Sequence, residues 1–297
     1  MILCRTIAEL KNELIQIKKS NDNATIGLVP TMGFLHEGHA SLMRQSVSEN
    51  TASVLSIFVN PMQFGPNEDF ERYPRDEARD LAIAKENGID IVFMPDVEEM
   101  YPSKPRTSVI VSQLTDRLCG ASRPGHFDGV GLVVSKLFHL VQPDRAYFGM
   151  KDAQQLAVIQ QMTDDLNIPV EIVPCPIVRE PDGLALSSRN VYLSAEQRQQ
   201  AVVLSQSLTL SKDWVKEKDI TPQELLARVK AKINEASQAD IDYVEWLTYP
   251  SLELPALNEP IAVQSGKFIL ALAVKFGSTR LIDNALFVPT TEVNDHV

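Results

Sequence analysis

The sequence predicts an α/β protein with a parallel sheet in its N-terminal part and a smaller α+β domain at its C-terminal end. Residues 25–29 suit a short buried strand and are followed by a glycine-containing loop and then by helically spaced apolar residues, which is the order strand, loop, helix. The apolar run 52–60 suits a strand covered on both faces, as strands of parallel sheets are. After Ser194 the pattern changes to long helices, an alternating strand at 241–247 and an apolar strand at 268–276.

The length and composition indicate a globular protein with two domains. The chain has 297 residues, and we expect residues 1–182 to form the first domain and residues 183–297 to form a smaller lid. Hydrophobic residues make up 44% and charged residues 23%, which is ordinary for a globular protein. No apolar run approaches the ~18 residues of a membrane span, and the N-terminus is too polar for a signal peptide. We therefore expect a cytoplasmic protein with no membrane partner.

The cysteines and the net charge narrow the possible ligands. Cys4, Cys119 and Cys175 are odd in number and widely spaced, which argues against disulfides and against a zinc site. The net charge of −11 argues against a nucleic-acid partner, because non-specific binding to nucleic acid needs a basic surface. Local charges must therefore hold any anionic ligand.

The remaining elements are predicted from capping residues, glycines and apolar spacing. Thr6 with Glu9 and Ser194 with Gln197 match the capping box of a helix start, and Pro222 suits the first position of another helix. The expected helices cover about 78–87, 130–141, 149–167 and 194–216, and the expected strands cover 89–94, 108–111, 143–148, 170–174 and 177–179.

The most informative stretch is the loop Pro-Thr-Met-Gly-Phe-Leu-His-Glu-Gly-His at residues 30–39. We expect Pro30 to end the strand, and two glycines allow tight turns before the helix. A helix N-terminus offers unpaired N–H groups and the positive end of the helix dipole to a phosphate, and His36 and His39 add two further donors. The loop therefore predicts an anion site with proton-donating side chains.

Two amide side chains follow the strand at 52–60. Asn60 and Gln63 stand at its carboxyl end, where open parallel sheets bind their ligands, and amides suit a ligand with a hydroxyl and a carboxylate. The alternative is that either amide only caps backbone groups, because Asn-Pro is a common turn.

Three further loops carry cations. In the loop 122–129, Arg123 can pair with an acid, and for His126 we favour a structural role bonded to Asp128 over catalysis. After the strand at 143–148, Lys151 stands at another helix start and could follow the charge of phosphate oxygens. The loop 187–190 offers two hydroxyls and a guanidinium to a triphosphate. A solvated lysine and an ordinary polar loop are the alternatives.

These loops, in this order, resemble one family. The loop 30–39 contains the His-x-Gly-His signature of the nucleotidyltransferase superfamily, and its longer form is similar to that of pantothenate synthetases, the pantoate–β-alanine ligases. The matching blocks are residues 30–39, 58–64, 123–129, 148–155, 183–190 and 281–284. An ordered set is far more specific than any single motif.

The resemblance implies ATP-dependent condensation of (R)-pantoate with β-alanine to pantothenate, AMP and pyrophosphate, through a pantoyl-adenylate and with Mg²⁺. It also implies a Rossmann-like first domain and usually a homodimer. The implied catalytic residues are His39, Lys151 and His36, pantoate is expected at Gln63, Gln155 and Asn60, and β-alanine at Gln63. The implied ATP site comprises Met32, Gly33, Phe34, Leu35, His36, Glu37, Gly38, His39, Gly149, Met150, Lys151, Asp152, Val178, Leu186, Ser187, Ser188 and Arg189.

Two positions depart from some relatives. Some members carry Met at the position of Leu186, which conserves volume, and Glu at the position of Cys119. The second difference removes the carboxylate that could form a salt bridge from that position to Arg123.

Four other functions fit parts of the sequence. A nucleotidyltransferase with a phosphate-bearing acceptor shares the first motif but gives Gln63 and Gln155 no purpose. A relative of aminoacyl-tRNA synthetases would need a basic RNA surface, which this acidic chain lacks. A non-catalytic nucleotide sensor is the third, and a metal site at His36, His39 and His126 is the fourth, although no thiol or carboxylate completes it.

Overall fold

A computed structural model describes residues 1–66 and 68–289, and the chain divides into two compact units, Met1–Val178 and Arg179–Val297. The predicted boundary at 182–183 lies a few residues further along, and residues 290–297 of the predicted second domain lie outside the described part. Arg179 belongs to the second unit because it forms a β-bridge with Ala185 and an ion pair of 2.6 Å with Asp283.

The first unit is a parallel sheet with helical connections. Its strands are β1 (Ile2–Cys4), β2 (Ile26–Thr31), β3 (Ala52–Ile57), β4 (Ile91–Phe93), β5 (Arg145–Gly149) and β6 (Glu171–Cys175). Its helices are α1 (Ile7–Ser20), α2 (Glu37–Glu49), α3 (Glu77–Glu86), α4 (Val97–Met100), α5 (Leu118–Ser122), α6 (His126–Val141) and α7 (Ala153–Asp165), with short 3₁₀ helices at Pro61–Gln63 and Met150–Asp152. The parallel sheet with helices confirms the predicted α/β class.

The strand order of this sheet is β1-β4-β3-β2-β5-β6, with all pairs parallel. From β2 the chain builds the sheet outward through β3 and β4, and it then returns to place β5 on the other side of β2. The strand order therefore reverses between β2 and β5. In open α/β sheets, the crevice outside the carboxyl ends at such a reversal is where ligands bind.

The second unit is a smaller α+β structure, as predicted. It contains α8 (Ala195–Gln200), α9 (Val203–Trp214), α10 (Pro222–Ile233), an antiparallel sheet of β7 (Ala239–Thr248), β8 (Phe268–Phe276) and β9 (Thr279–Phe287), and 3₁₀ helices at Ser188–Tyr192 and Ile261–Val263. Trp246 stacks on Phe268 at 5.3 Å between ring centroids, and the aliphatic faces of the helices pack on this sheet. Among the described residues, no helix is both long and apolar enough to cross a membrane.

Several predicted elements differ from the structure. The helix expected over 194–216 breaks at Ala201–Val202, where Leu204 N–H bonds back to Ala201 O at 3.2 Å, three residues earlier. This break lets Ala201 and Leu204 both enter the core, with 0% and 1% exposure. No strand forms at 108–111, because this segment packs on α6 beside Gly131 instead of pairing with the sheet. Residues 177–179 contribute only one bridge.

Two boundaries near the predicted site also shift. β2 continues through Pro30 to Thr31, because both residues still pair with β3 while the pairing with β5 stops at Leu28. Helix α6 begins at His126, four residues before its expected start, after Gly125 in a left-handed conformation with φ of 80°. The earlier start places His126 on the first helical turn.

Candidate active site

The predicted site residues of the first unit follow neighbouring strands at one edge of the sheet. Asn60 and Gln63 follow β3, the histidine loop 32–39 follows β2, and Lys151 follows β5. These three strands are consecutive in the sheet and parallel, so their carboxyl ends lie side by side. The structure therefore brings the histidines, the lysine and the two amides to a single edge, at the reversal of strand order.

The histidine loop is held by a buried carboxylate from α3. Asp80 is 2% exposed and accepts hydrogen bonds from Phe34 N–H at 2.8 Å and Leu35 N–H at 2.7 Å. Gly33 has φ of +83°, and a Cβ there would lie 2.9 Å from the Asp80 carboxylate. Burial raises the pKa of Asp80 above its usual value, although the two N–H donors act against this rise. Sequence reasoning missed Asp80, because no pattern distinguishes it from the other polar residues of an amphipathic helix.

Both histidines direct one ring nitrogen toward the backbone. His36 caps α2, since its Nδ1 accepts from Gly38 N–H at 3.1 Å, and His39 Nδ1 accepts from His36 N–H at 3.3 Å. A neutral imidazole has one acceptor and one donor nitrogen, so both rings carry their hydrogen on Nε2. The ring centroids lie 4.1 Å apart. The pair therefore offers two fixed, uncharged Nε2–H donors.

The surroundings keep this pair neutral. Burial, followed by the charges of Lys151 and Arg79, lowers the pKa of His36 to about 4. Burial, the neighbouring His36 and Lys151 lower the pKa of His39 well below its usual value. The charge of Lys151 thus lowers the pKa of both rings.

The backbone at the start of α2 differs from the expected phosphate cradle. Gly38 N–H bonds to the His36 ring, while His39 N–H and Ala40 N–H bond to His36 O at 2.8 Å and 3.0 Å. The expectation of unpaired helix-start amides was therefore wrong for Gly38 and His39, whereas the Ala40 bond is the first regular bond of the helix. The imidazole Nε2–H groups, which both point away from these backbone bonds, are the remaining directed donors of the loop.

Lys151 lies in the short turn between β5 and α7. Its Nζ is 3.3 Å from Asp152 Oδ2, and its side chain is 21% exposed against 46% for Asp152. Gly149, at the end of β5, has open space where a Cβ would stand. An anion reaching this turn would meet a cation beside the neutral histidines.

The two amides after β3 have different surroundings. Asn60 is fully buried, and its Nδ2 donates to Gln63 Oε1 at 3.1 Å and Gly129 O at 3.0 Å. Its Oδ1 accepts from Met62 N–H at 3.2 Å and from the Tyr101 hydroxyl at 3.0 Å. Asn60 therefore caps the 3₁₀ helix Pro61–Gln63 and also bonds the side chains of Gln63 and Tyr101. Gln63 Nε2 meets only a weak acceptor among the described residues, Met32 Sδ at 3.0 Å, and can turn to a polar ligand.

Arg123 and His126 form a network that the sequence only partly predicted. Arg123 does pair with an acid, but the acid is Glu68, with Nε–Oε1 of 2.6 Å and Nη2–Oε2 of 2.8 Å. His126 contacts Gln63 O at 2.8 Å through Nδ1, so the expected bond to Asp128 was wrong. Cys119 is buried, and its backbone O accepts from Arg123 N–H at 2.8 Å. Glu68 thus supplies a carboxylate that position 119 lacks.

The other predicted residues lie further along the chain. Gln155 is partly exposed on α7. Its neighbour Gln154 is buried, and its Nε2 donates to Leu114 O and Arg117 O, each at 2.8 Å. In the second unit, Ser187 caps the 3₁₀ helix that contains Arg189, through a 3.3 Å bond to Arg189 N–H. The roles of Val178 and of the residues 186–189 in ATP binding stay predictions.

The metal-site alternative gains no support from the geometry. Within residues 1–66 and 68–289, the structure contains no group of three or more His, Cys, Asp and Glu side chains placed to hold a metal ion. The His36 and His39 Nδ1 atoms, which could ligate a metal, already accept backbone N–H groups.

Comparisons with known proteins agree with the resemblance seen in the sequence. The profile of the pantoate-beta-alanine ligase family matches residues 2–286. The pantothenate synthetase of Caldicellulosiruptor saccharolyticus is 54% identical over 284 residues, which cover 96% of this chain and 98% of that protein. The crystal structure of pantothenate synthetase from Thermus thermophilus superposes with a TM-score of 0.87 at 45% identity, covering 96% of this chain and 99% of the other. A Francisella tularensis pantoate-beta-alanine ligase, solved with β-γ ATP and β-alanine, gives a TM-score of 0.76 at 32% identity over 98% and 100% of the two chains.

Proposed function

Because the chain belongs to the pantoate-β-alanine ligase family, we propose that its carboxyl-edge loops hold ATP between the histidine loop and Lys151, with pantoate beside Gln63. The reaction is the ATP-dependent condensation of pantoate with β-alanine. The observation that carries the site assignment is the pairing of β2 with β5, because it sets the histidines and Lys151 on either side of the reversal in strand order.

The proposed chemistry is adenylation followed by amide formation. A carboxylate resists attack by an amine because its leaving group would be oxide. In the first step a pantoate carboxylate oxygen bonds to the α-phosphorus of ATP, and the bond from that phosphorus to pyrophosphate breaks. In the second step the β-alanine amine bonds to the acyl carbon, a proton leaves the nitrogen, and AMP departs. The protein contributes positioning and charge stabilisation, with no covalent intermediate of its own.

The histidines and the lysine have complementary roles in the first step. Negative charge grows on the oxygens around the α-phosphorus, and the Nε2–H groups of His36 and His39 are already oriented by the backbone. Preorganised donors need no rearrangement when the charge develops. Lys151 adds a full positive charge at the adjacent strand end. We assign catalytic roles to His39, Lys151 and His36 on this basis.

Pantoate and β-alanine are assigned to the carboxyl end of β3. Gln63 offers Nε2–H to pantoate and then to β-alanine, because its present partner is a thioether sulfur. Gln155 is the second pantoate residue that the resemblance implies. Asn60 is buried with both amide hydrogens and both oxygen lone pairs engaged, so we assign it to holding Gln63 in place, and only indirectly to pantoate.

The proposed nucleotide site combines the loops already described with residues further along the chain. Residues 32–39, 149–152, Val178 and 186–189 are proposed to border the nucleotide, with Arg189 neutralising part of its charge. Mg²⁺ is proposed to travel with ATP, since the described residues form no cluster of acidic ligands and triphosphate oxygens are the ligands it prefers. The metal would screen the departing pyrophosphate.

The test is a nucleotide assay on the purified protein. With ATP, Mg²⁺, pantoate and β-alanine, we expect one AMP and one pyrophosphate for each pantothenate. Without β-alanine, we expect pyrophosphate equal to about one turnover, because the adenylate stays bound. Release of ADP and phosphate would contradict adenylation, and absence of turnover would favour a nucleotide sensor. The homodimer and the cytoplasmic location remain predictions, of which light scattering tests the first.

A further inference from the structure

Three ionisable side chains form a row of linked hydrogen bonds that ends on the backbone of Gln63. His126 Nδ1 lies 2.8 Å from Gln63 O, and Arg123 Nη1 lies 3.1 Å from His126 Nε2. Arg123 is held in turn by both carboxylate oxygens of Glu68, at 2.6 Å and 2.8 Å. Arg123 and Glu68 are 18% and 24% exposed, and His126 is buried. The assignments made above leave these three residues without a function.

The partners determine which nitrogen of His126 carries the hydrogen. A carbonyl oxygen can only accept, so Nδ1 must donate to Gln63 O, and a guanidinium can only donate, so Nε2 must accept from Arg123. A second proton would place an N–H against the guanidinium. In agreement, burial and then the charge of Arg123 lower the pKa of His126 to about 4. Burial alone would raise the pKa of Glu68, but Arg123 outweighs it and lowers that pKa below its usual value.

The peptide that receives this bond is also packed tightly against α6. A Cβ on Gly129 would lie 2.1 Å from Met62 O and 2.6 Å from Gln63 N, so α6 meets the 3₁₀ helix Pro61–Gln63 backbone to backbone. His126, on the first turn of α6, adds a directed hydrogen bond to this contact. The backbone of Gln63 is thus fixed independently of the partners of its own side-chain amide.

We propose that Glu68, Arg123 and His126 are positioning residues, which fix the peptide of Gln63 and thereby aim its side-chain amide at pantoate and β-alanine. The inference rests on the proposed function, in which Gln63 binds these two substrates. Glu68 orients the guanidinium, the guanidinium selects one tautomer of His126, and that tautomer donates to the carbonyl. Linked hydrogen bonds in a buried site strengthen one another, so removing one end weakens the other.

The first experiment compares two variants of His126. In His126→Asn the amide nitrogen can occupy the place of Nδ1 and donate to Gln63 O. In His126→Gln the amide reaches the place of Nε2, where its oxygen can accept from Arg123, and Gln63 O is left without its donor. We expect His126→Gln to raise the KM values for pantoate and β-alanine about ten-fold, the effect of one lost hydrogen bond. We expect His126→Asn to stay within about two-fold of wild type, and the KM for ATP to be unchanged in both.

The second experiment removes the charge at the far end of this row of hydrogen bonds. Glu68→Gln should raise the same two KM values by about three- to ten-fold, again with kcat and the KM for ATP near wild type. The matched control is Asp242→Asn, which weakens an ion pair with Arg280 in the second unit whose side chains are 20% and 22% exposed. This control should leave every kinetic constant unchanged.

The outcomes separate the inference from the function on which it rests. If wild type released no AMP with pantoate, the proposed function would fail. If wild type were active but His126→Gln behaved like His126→Asn, or Glu68→Gln like Asp242→Asn, the positioning role would be overturned. Thermal melting checks that each variant folds. Should Glu68→Gln not fold, the two His126 variants decide the matter, because both lack the imidazole and differ only in where the amide lies.

Discussion

The ends of β2 and β5 lie side by side in the sheet but present different kinds of donor. After β2, the Nδ1 atoms of His36 and His39 are engaged by backbone N–H groups, and both rings are held neutral. After β5, Lys151 carries a full charge on a flexible side chain that forms a 3.3 Å ion pair with Asp152. The histidines after β2 therefore present donors of fixed orientation, and Lys151 after β5 presents a positive charge.

In the proposed site, this difference would let the two strand ends act on one bound anion without opposing each other. Two imidazolium rings 4.1 Å apart beside an ammonium would repel one another strongly in a buried site. The loop avoids this because the lysine itself helps to keep the rings neutral. In the proposed mechanism, the cation stabilises growing negative charge, and the neutral donors fix where the charged oxygen lies.

The largest expected effect comes from removing the positive charge of Lys151. Lys151→Ala should fold normally but slow adenylation by about two to four powers of ten, the range for losing one electrostatic stabiliser. Single-turnover formation of pyrophosphate from ATP and pantoate measures this step. Lys18→Ala, which removes an exposed lysine on α1, is the control. Near-normal adenylation by Lys151→Ala would show that the charge of Lys151 does not stabilise the transition state.

The neutral end is tested by two replacements of His39. His39→Gln can place an amide N–H near the position of Nε2, whereas His39→Asn can only replace the acceptor at Nδ1. We expect His39→Asn to slow adenylation by about a hundred-fold, and His39→Gln to retain clearly more activity. Equal losses in the two variants would mean that the Nε2–H donor is not what matters.

A smaller effect is expected from loosening the histidine loop. Asp80→Asn replaces one of two carboxylate acceptors with an amide donor that faces a backbone N–H, at an expected cost of about 1–3 kcal/mol in the free energy of unfolding. Urea denaturation measures this cost, and the KM for ATP should rise with it. Asp144→Asn is the matched control, because Asp144 accepts from Ile26 N–H at 2.7 Å at the opposite end of β2. A raised KM for ATP in the control would show that any loss of stability disturbs the site.

The smallest expected effect is on the stability of the fold at acidic pH. The pKa of His36 is lowered from 6.5 to about 4, so between these values the unfolded chain binds protons that the folded chain excludes. Stability must therefore fall as the pH drops from about 6.5 to about 4, and it is fully present above that window. Melting temperatures across this range should fall less steeply in His36→Asn, because Asn keeps a cap but cannot titrate. An unchanged slope would contradict neutral burial of the ring, and His139→Asn, at an exposed position, is the control.

Local signals predicted much of the fold. The capping boxes predicted at Thr6 and Ser194 lie at true helix starts, and β8 covers the predicted residues 268–276, because caps and long apolar runs act over a few residues. The break of the 194–216 helix and the fate of 108–111 were missed, because both depend on what packs against the segment. β1, with three residues, is too short to give a periodic pattern.

The same division holds for the site. The positions of the histidine loop, Gln63 and Lys151 at strand ends could be predicted, since parallel strands place their carboxyl ends on one edge. The roles of Asp80 and Glu68 could not, because these carboxylates meet partners 46 and 55 residues away in the chain. The pairing of the helix-start amides with His36 was also missed, since a histidine is an unusual helix cap.

The most direct test of the account is NMR of the protein with ¹⁵N-labelled histidine, titrated with ATP at pH 7. We predict that His36 and His39 both appear as neutral rings protonated at Nε2, and that their Nε2–H signals shift when ATP binds. In Lys151→Ala the rings should stay neutral while ATP binds more weakly. An imidazolium signal, an Nδ1–H tautomer, or Nε2–H signals that do not respond to ATP would contradict the account.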